Sequence, residues 1–167
     1  IRLRQGDDFP YFETQGFPSS FVHAENRLCE VDAHGGIVRD SCGSPVLECM
    51  CGNVIRGRYD PGLPFFTENG SFWTNSTTAL LSAFSEEERQ ARTRNRCHGE
   101  GYESVALIPI RHGDETLGLL QFNDSRINRF DKFQVNLFER LAANLAVGLT
   151  QRQTAQALAE NEAKYRS

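Results

Sequence analysis

The stretch from Ser104 to Phe122 constrains the fold more than any other part of the chain. Ser104-Val105-Ala106-Leu107-Ile108-Pro109-Ile110 is an apolar run of strand length, and Arg111-His112-Gly113-Asp114-Glu115 is a turn. Thr116-Leu117-Gly118-Leu119-Leu120-Gln121-Phe122 is then the antiparallel partner. After a loop at 126–130, the chain runs from Asp131, a good helix cap, as one long helix. Phe138, Leu141, Leu145, Gly148 and Leu149 fall on one stripe at helical spacing. Past Gln151 the pattern turns polar, with Ala155, Leu158 and Tyr165 as a thin seam. A helix reaching Lys164 is about 50 Å long, more than the body of a domain this size. Its end is expected to project as a connector, and the seam suits pairing with a second copy.

Upstream, residues 1–5 and 11–17 read as strands joined by a turn at Asp7-Asp8-Phe9-Pro10, a hairpin. A short helix follows at 19–27, with Ser19 or Ser20 as its cap. Residues 33–45 carry Gly35, Gly36, Gly43 and Pro45 and read as loop. Val46 to Gly57 fits either a strand or a short helix. Residues 58–75 read as a long ordered loop held by Tyr59, Phe65, Phe66, Phe72 and Trp73. Asn75-Ser76-Thr77-Thr78 caps a helix from Ala79, and Ser85-Glu86-Glu87-Glu88 repeats the capping pattern. Arg89, Arg92, Arg94 and Arg96 lie on a charged segment that reads as a solvated face, with anion binding as the alternative. No internal repeat is evident. The order of elements predicts an α+β fold: a central antiparallel sheet with helices on one face and loops on the other.

With 167 residues and 39% hydrophobic content, the chain suits one domain with a real core. A net charge of −4 excludes a general attraction to nucleic acid or anionic lipid. No apolar run approaches the roughly 20 residues of a membrane span, and no signal peptide is visible. The chain lacks an initiator Met and is read as a fragment of something longer.

Five cysteines are an odd number, so disulfide staples are not expected; the domain is placed in the cytoplasm with its thiols reduced. Cys49 and Cys51 sit in Glu48-Cys49-Met50-Cys51-Gly52, and on a strand both sulfurs would face one way. Four cysteines suit tetrahedral zinc or an iron–sulfur cluster. The preferred set is Cys29, Cys49, Cys51 and Cys97, with Cys42 as a spare. No Cys-x-x-Cys pair is present, so a metal-free redox group and inert buried thiols stay open. His98 is read as a surface residue, with replacement of a cysteine ligand as the alternative. His23, His34 and His112 show no ligand spacing.

Ser104–Ile110, Gly113 and Leu117-Gly118-Leu119-Leu120-Gln121-Phe122, followed by Phe130 and a long helix, resemble a GAF domain. Cys49-Met50-Cys51-Gly52, Phe66-Thr67, Gly70-Ser71-Phe72-Trp73-Thr74-Asn75 and Arg96-Cys97-His98-Gly99-Glu100-Gly101-Tyr102-Glu103-Ser104 resemble a cysteine-bearing GAF subgroup of prokaryotic sensor histidine kinases. Ala157 to Arg166 resembles the connector that opens a following PAS domain. The family's initial helix is not in this chain, which begins at the first strand.

The resemblance implies a sensory input module without catalysis of its own: residues 1–150 as the GAF-like domain and 151–167 as the connector. Downstream PAS and kinase domains in the same chain and a homodimer are the implied partners. GAF loops that fold over the sheet would bring the four thiols together, and Phe72, Trp73, Tyr102 and Glu103 are expected to line the pocket. If no metal binds, an unknown small ligand takes its place. An alternative is a free methionine-R-sulfoxide reductase, with Cys97 as nucleophile and Cys49 or Cys51 resolving. A ligand-free dimerisation and relay domain is a third.

Overall fold

The computed structural model describes residues 1–87 and 94–166. Among them the elements run β1 (Arg2–Leu3), α1 (Ser19–Glu25), α2 (Cys49–Ile55), β2 (Phe72–Thr74), α3 (Thr77–Ser82), α4 (Arg96–Gly99), β3 (Ser104–His112), β4 (Glu115–Asp124) and α5 (Lys132–Arg166). The expected hairpin is the spine of the molecule. β3 and β4 pair antiparallel from Ser104↔Asp124 to His112↔Glu115 around a turn in which Gly113 takes φ 59°. β1 adds antiparallel to β4 and β2 to β3, giving the order β1-β4-β3-β2.

Strand alternation divides the core in two. Val105, Leu107 and Leu119 point to one face; Ala106, Ile108, Ile110 and Leu120 point to the other. The register slips between Ile110 and Arg111, so Gly118 pairs with Ile110 while Thr116 pairs with Arg111. Leu117 is the extra residue of this bulge, which turns it to the same face as Leu120 although they are three apart. Gly118 lies where β1 crosses closest. A Cβ there would stand 2.3 Å from the Arg2 carbonyl oxygen, so only glycine lets the edge strand approach.

α5 starts from a reciprocal cap. The Gln134 amide donates to Asp131 Oδ1 at 2.8 Å, and the Asp131 amide donates to Gln134 Oε1 at 3.0 Å. Val135, Ala142 and Ala146 are its buried seam, with Phe138, Leu145 and Leu149 beside them; Phe138 stacks on Phe122 at 4.1 Å. The expected stripe is therefore rotated. Leu141 and Gly148 face solvent, because alanines let the helix lie closer to the sheet than leucine would. At 1.5 Å per residue α5 is about 52 Å long, and residues 151–166 are exposed throughout.

The opposite face is covered by α2, α3, α4 and the loops, whose Leu28, Leu47, Cys51, Val54 and Ile55 close the second core. Helices are thus not confined to one face: α5 takes one side, and short helices share the other with loops. Residues 11–17 do not form a strand. A single bridge, Arg2↔Tyr11, is made before the Phe12 and Glu13 amides both turn onto the Ile1 carbonyl. α1 begins after Pro18 with no side-chain cap, so Ser19 and Ser20 lie inside the helix. β2 forms within the expected loop, and Phe65, Phe66 and Phe72 pack ring against ring beside it. A short repeat emerges in residues 32–44: Asp32 and Asp40 each accept two amides, from the second and fourth residues on, around Gly35 and Gly43 at φ 80° and 81°. The capping pattern at Ser85–Glu88 runs into residues 88–93, which also hold Arg89 and Arg92; these lie outside the described residues.

Candidate functional site: a thiol-lined cavity

Between the β3/β4 face and the helices α2, α3 and α4 lies a cavity of about 260 Å³. Val105 and Leu107 form its floor; Met50, Phe72, Leu80, Leu81 and Phe84 give it mostly apolar walls. Cys49, Cys51 and Cys97 all line it, carried by α2 and α4. The segment 46–57 is a helix rather than a strand where it carries the pair, and Gly52 permits this. A Cβ at Gly52 would stand 2.6 Å from the Leu47 carbonyl oxygen.

Each sulfur has its own setting. Cys97 Sγ accepts from Asn123 Nδ2 at 3.3 Å and from Gln121 Nε2 at 3.7 Å. Cys49 Sγ accepts the Arg94 amide at 3.2 Å. Cys49 holds φ 64°, a left-handed conformation that a side chain enters at a cost of about 1–2 kcal/mol. Desolvation is the main effect on all three, and it favours the neutral thiol. It pushes Cys97 up to about 11 against an Asn123 bond that pulls the other way. Cys51 and Cys49 are raised by the same cause. At neutral pH the cavity therefore presents protonated thiols.

The segment bearing α4 is fastened over the cavity by Arg94. Its guanidinium bridges Glu48 of the α2 cap and Glu25 of α1, the latter at 3.5 Å. Next to Cys97, His98 lines the cavity instead of the surface. Its Nδ1 lies 3.0 Å from Thr77 Oγ1, whose hydroxyl donates to the Tyr102 carbonyl at 2.7 Å. With the hydroxyl proton committed to that carbonyl, Nδ1 is the donor in this contact. Arg2 and Glu25 also line the cavity, and both are buried.

The sequence-derived site divides accordingly. Phe72 lines the cavity, but Trp73, the next residue on β2, points to the opposite face and packs in the α5 core. Tyr102 stands outside the lining, edge-on to Phe17 and Phe21 at 5.7 Å. Glu103 caps α3, accepting from Ser76 Oγ at 2.9 Å, from the Thr78 amide at 3.2 Å and from the Thr78 hydroxyl. Those bonds, led by the Thr78 hydroxyl, hold its carboxyl below the usual range. Cys29 is separated from the other three. Its chain bridges to Leu47, its Sγ donates to the Asp7 carbonyl at 3.2 Å, and burial raises its thiol to about 11. Among the described residues no three His, Cys, Asp or Glu side chains are placed to hold a metal ion. The set Cys29, Cys49, Cys51 and Cys97 does not fit a four-thiolate centre in this arrangement.

No described helix is long and apolar enough to cross a membrane. Comparison with curated proteins finds no match. Among solved structures, a domain assigned to a two-component sensor histidine kinase protein of Sinorhizobium meliloti 1021 is similar at 15% identity. The match covers 74% of this chain and 81% of that one, with a TM-score of 0.44. The family model of the GAF domain matches residues 26–149. That span includes α2 to β4, the cavity lining apart from Arg2 and Glu25, and α5 as far as it covers the sheet. The chain belongs to the GAF domain family.

Proposed function

We propose that this GAF domain is the sensory input module of a histidine-kinase-type signalling chain, and that it reads a small ligand held in the thiol-lined cavity. The observation that carries the reading is the two-sided hairpin. Val105 and Leu107 floor the cavity, while Ala106, Ile108 and Ile110 on the same strand carry α5. Filling the cavity displaces the strand that seats the output helix, and a ligand that prefers one seating shifts the population between them. Residues 151–166 act as the connector toward PAS and kinase domains of the same chain, in a cytoplasmic homodimer.

Neutral thiols favour this reading over a thiolate centre. Nucleophilic attack on a sulfoxide requires deprotonated sulfur, and burial opposes that at Cys49, Cys51 and Cys97. The test is a ligand-observed NMR screen of small molecules of about ten non-hydrogen atoms against the wild type and Leu80→Trp, which fills the cavity. Binders lost in the variant, and altered amide exchange in residues 132–149 when they bind, are expected. Absence of any binder, or binding that leaves α5 unchanged, refutes the reading. Metal analysis of anaerobically purified protein runs beside it; stoichiometric zinc or iron would move the site to a metal held by Cys49, Cys51 and Cys97.

A further inference from the structure

On the cavity wall stands a buried cation, Arg2, that no acid among the described residues pairs with. Arg2 is 1% exposed. Its guanidinium lies over the Tyr11 ring at 3.7 Å. Nη1 donates to the Phe9 and Asn26 carbonyls at 3.0 and 3.3 Å, and Nη2 to the Glu25 carbonyl at 2.6 Å. These acceptors are all backbone oxygens. Of the five guanidinium N–H groups they account for three, and Nε has no hydrogen-bond partner among the described residues. Buried cations are almost always paired with an acid. The other charged groups on the cavity wall are already engaged: Glu25 with Arg94 at 3.5 Å, and Arg96 with Glu100 at 3.7 Å.

We infer that the ligand is a small carboxylic acid with an apolar body, its carboxylate seated on Arg2 and its body against Phe72, Leu80, Leu81 and Phe84. This rests on the small-ligand reading above and names the chemical class. Arginine suits a carboxylate because its planar donors match the two oxygens. The Tyr11 ring and the carbonyl ties that hold the guanidinium fix its direction before the ligand arrives, which lowers the ordering cost of binding. Size follows from the cavity. A dry cavity of roughly 150 Å³ takes benzene, so one of about 260 Å³ takes a body of about ten to twelve non-hydrogen atoms. Gln121 and Asn123 stay committed to Cys97 and to each other, and Gln121 also accepts the Tyr11 hydroxyl at 2.9 Å. They therefore compete little for the carboxylate.

The experiment compares acids with amides of the same shape: phenylbutyrate against phenylbutanamide, and hexanoate against hexanamide, by titration calorimetry at pH 7.5. The acids are expected to bind at least about tenfold tighter, the scale of a hydrogen bond to a charged group. Arg2→Lys keeps the charge but removes Nε, and is expected to erase most of that preference. Leu80→Trp is expected to abolish binding of the acids. Equal or tighter binding of the amides overturns the carboxylate assignment while leaving a small neutral ligand in place. Binding of neither class counts against the small-ligand reading itself. Should Arg2→Lys not fold, the acid-to-amide ratio of the wild type together with loss in Leu80→Trp decides. Acids that still bind Leu80→Trp sit elsewhere, and the assignment fails.

Discussion

At the scale of single residues, burial sets the chemistry of the sulfurs. A thiol in an apolar cavity gives up its proton late because the thiolate loses its hydration there. Cys97 has a folded value of about 11 against an ordinary 9.0. Between those values the folded protein keeps a proton that the unfolded chain has released. The associated stability is intact below pH 9 and is lost as pH rises toward 11. At about 1.4 kcal/mol per unit, Cys97 alone accounts for roughly 2–3 kcal/mol. The urea midpoint is expected to hold steady from pH 7 to 8.5 and to fall between 9 and 11, with a shallower fall in Cys97→Ala. A midpoint flat to pH 11 would contradict the burial argument. For the same reason Cys42, on an exposed turn, should react with iodoacetamide far faster at pH 7.5 than Cys51 or Cys97, read by mass spectrometry of digested protein. The cavity was partly visible in the sequence: Cys49, Cys51, Cys97 and Phe72 stand on its wall. Arg2 was not singled out in the sequence, although a signal for its direction is there. Ile1-Arg2-Leu3-Arg4 alternates, so a strand turns Arg2 away from Leu3, and Leu3 packs in the α5 core. What no pattern revealed was that the short helix α4 would carry His98 inward; that depends on Thr77 and Arg94, 21 and four residues away in the chain.

At the scale of elements, close backbone approach explains where glycine is required. Gly118 is part of the motif by which the hairpin resembled its family, and its physical role is to admit β1 against β4. Gly118→Ala must push the Arg2 carbonyl away or part the strands, a strain of about 1–3 kcal/mol and occasionally more. Because Arg2 is on β1, the variant is also expected to weaken ligand binding in the cavity although residue 118 does not line it. Urea denaturation and calorimetry check the two effects; unchanged stability would show that β1 does not hold the pairing described. Arg94 makes a second test. Arg94→Met removes the tie from the α4 segment to Glu25 and Glu48. Cys97 should then alkylate several-fold faster while the core stays folded by circular dichroism. The hairpin and the long helix were legible because each repeats one period over many residues. The N-terminal hairpin was not, because alternation in residues 11–17 competes with aromatic packing of Phe17 onto Phe21 and Tyr102, at 5.0 and 5.7 Å. The stripe on α5 was one position off for a related reason: periodicity marks apolar residues but does not say which of two apolar sides meets the sheet.

That second side matters at the scale of the whole molecule. Opposite its buried seam, α5 exposes Phe133, Leu137, Leu141, Val147, Leu158 and Tyr165. At 3.6 residues per turn they fall within a sector of about 120°, pointing away from Val135, Ala142 and Ala146. From Leu137 the steps alternate four and three through Leu141, Asn144, Gly148, Gln151, Ala155 and Leu158, the spacing of a two-stranded seam. A helix apolar on two sides is buried on two sides or exposes a patch that favours association. A second α5 offers the same length, spacing and self-complementary surface, so a two-fold pair of this chain is the partner that fits. Two helices paired in register would also join the two cavities to one output, since each hairpin seats its own α5. The chain is expected to sediment as a concentration-dependent dimer. Leu137→Lys with Leu141→Lys should raise the dissociation constant at least tenfold without lowering the monomer's thermal midpoint, because both positions are exposed and leave the sheet-facing seam untouched. Ala142→Lys is the opposite case: it buries a charge against β3 and should unfold the domain. If the double variant dimerises like the wild type, the copies meet elsewhere than along α5.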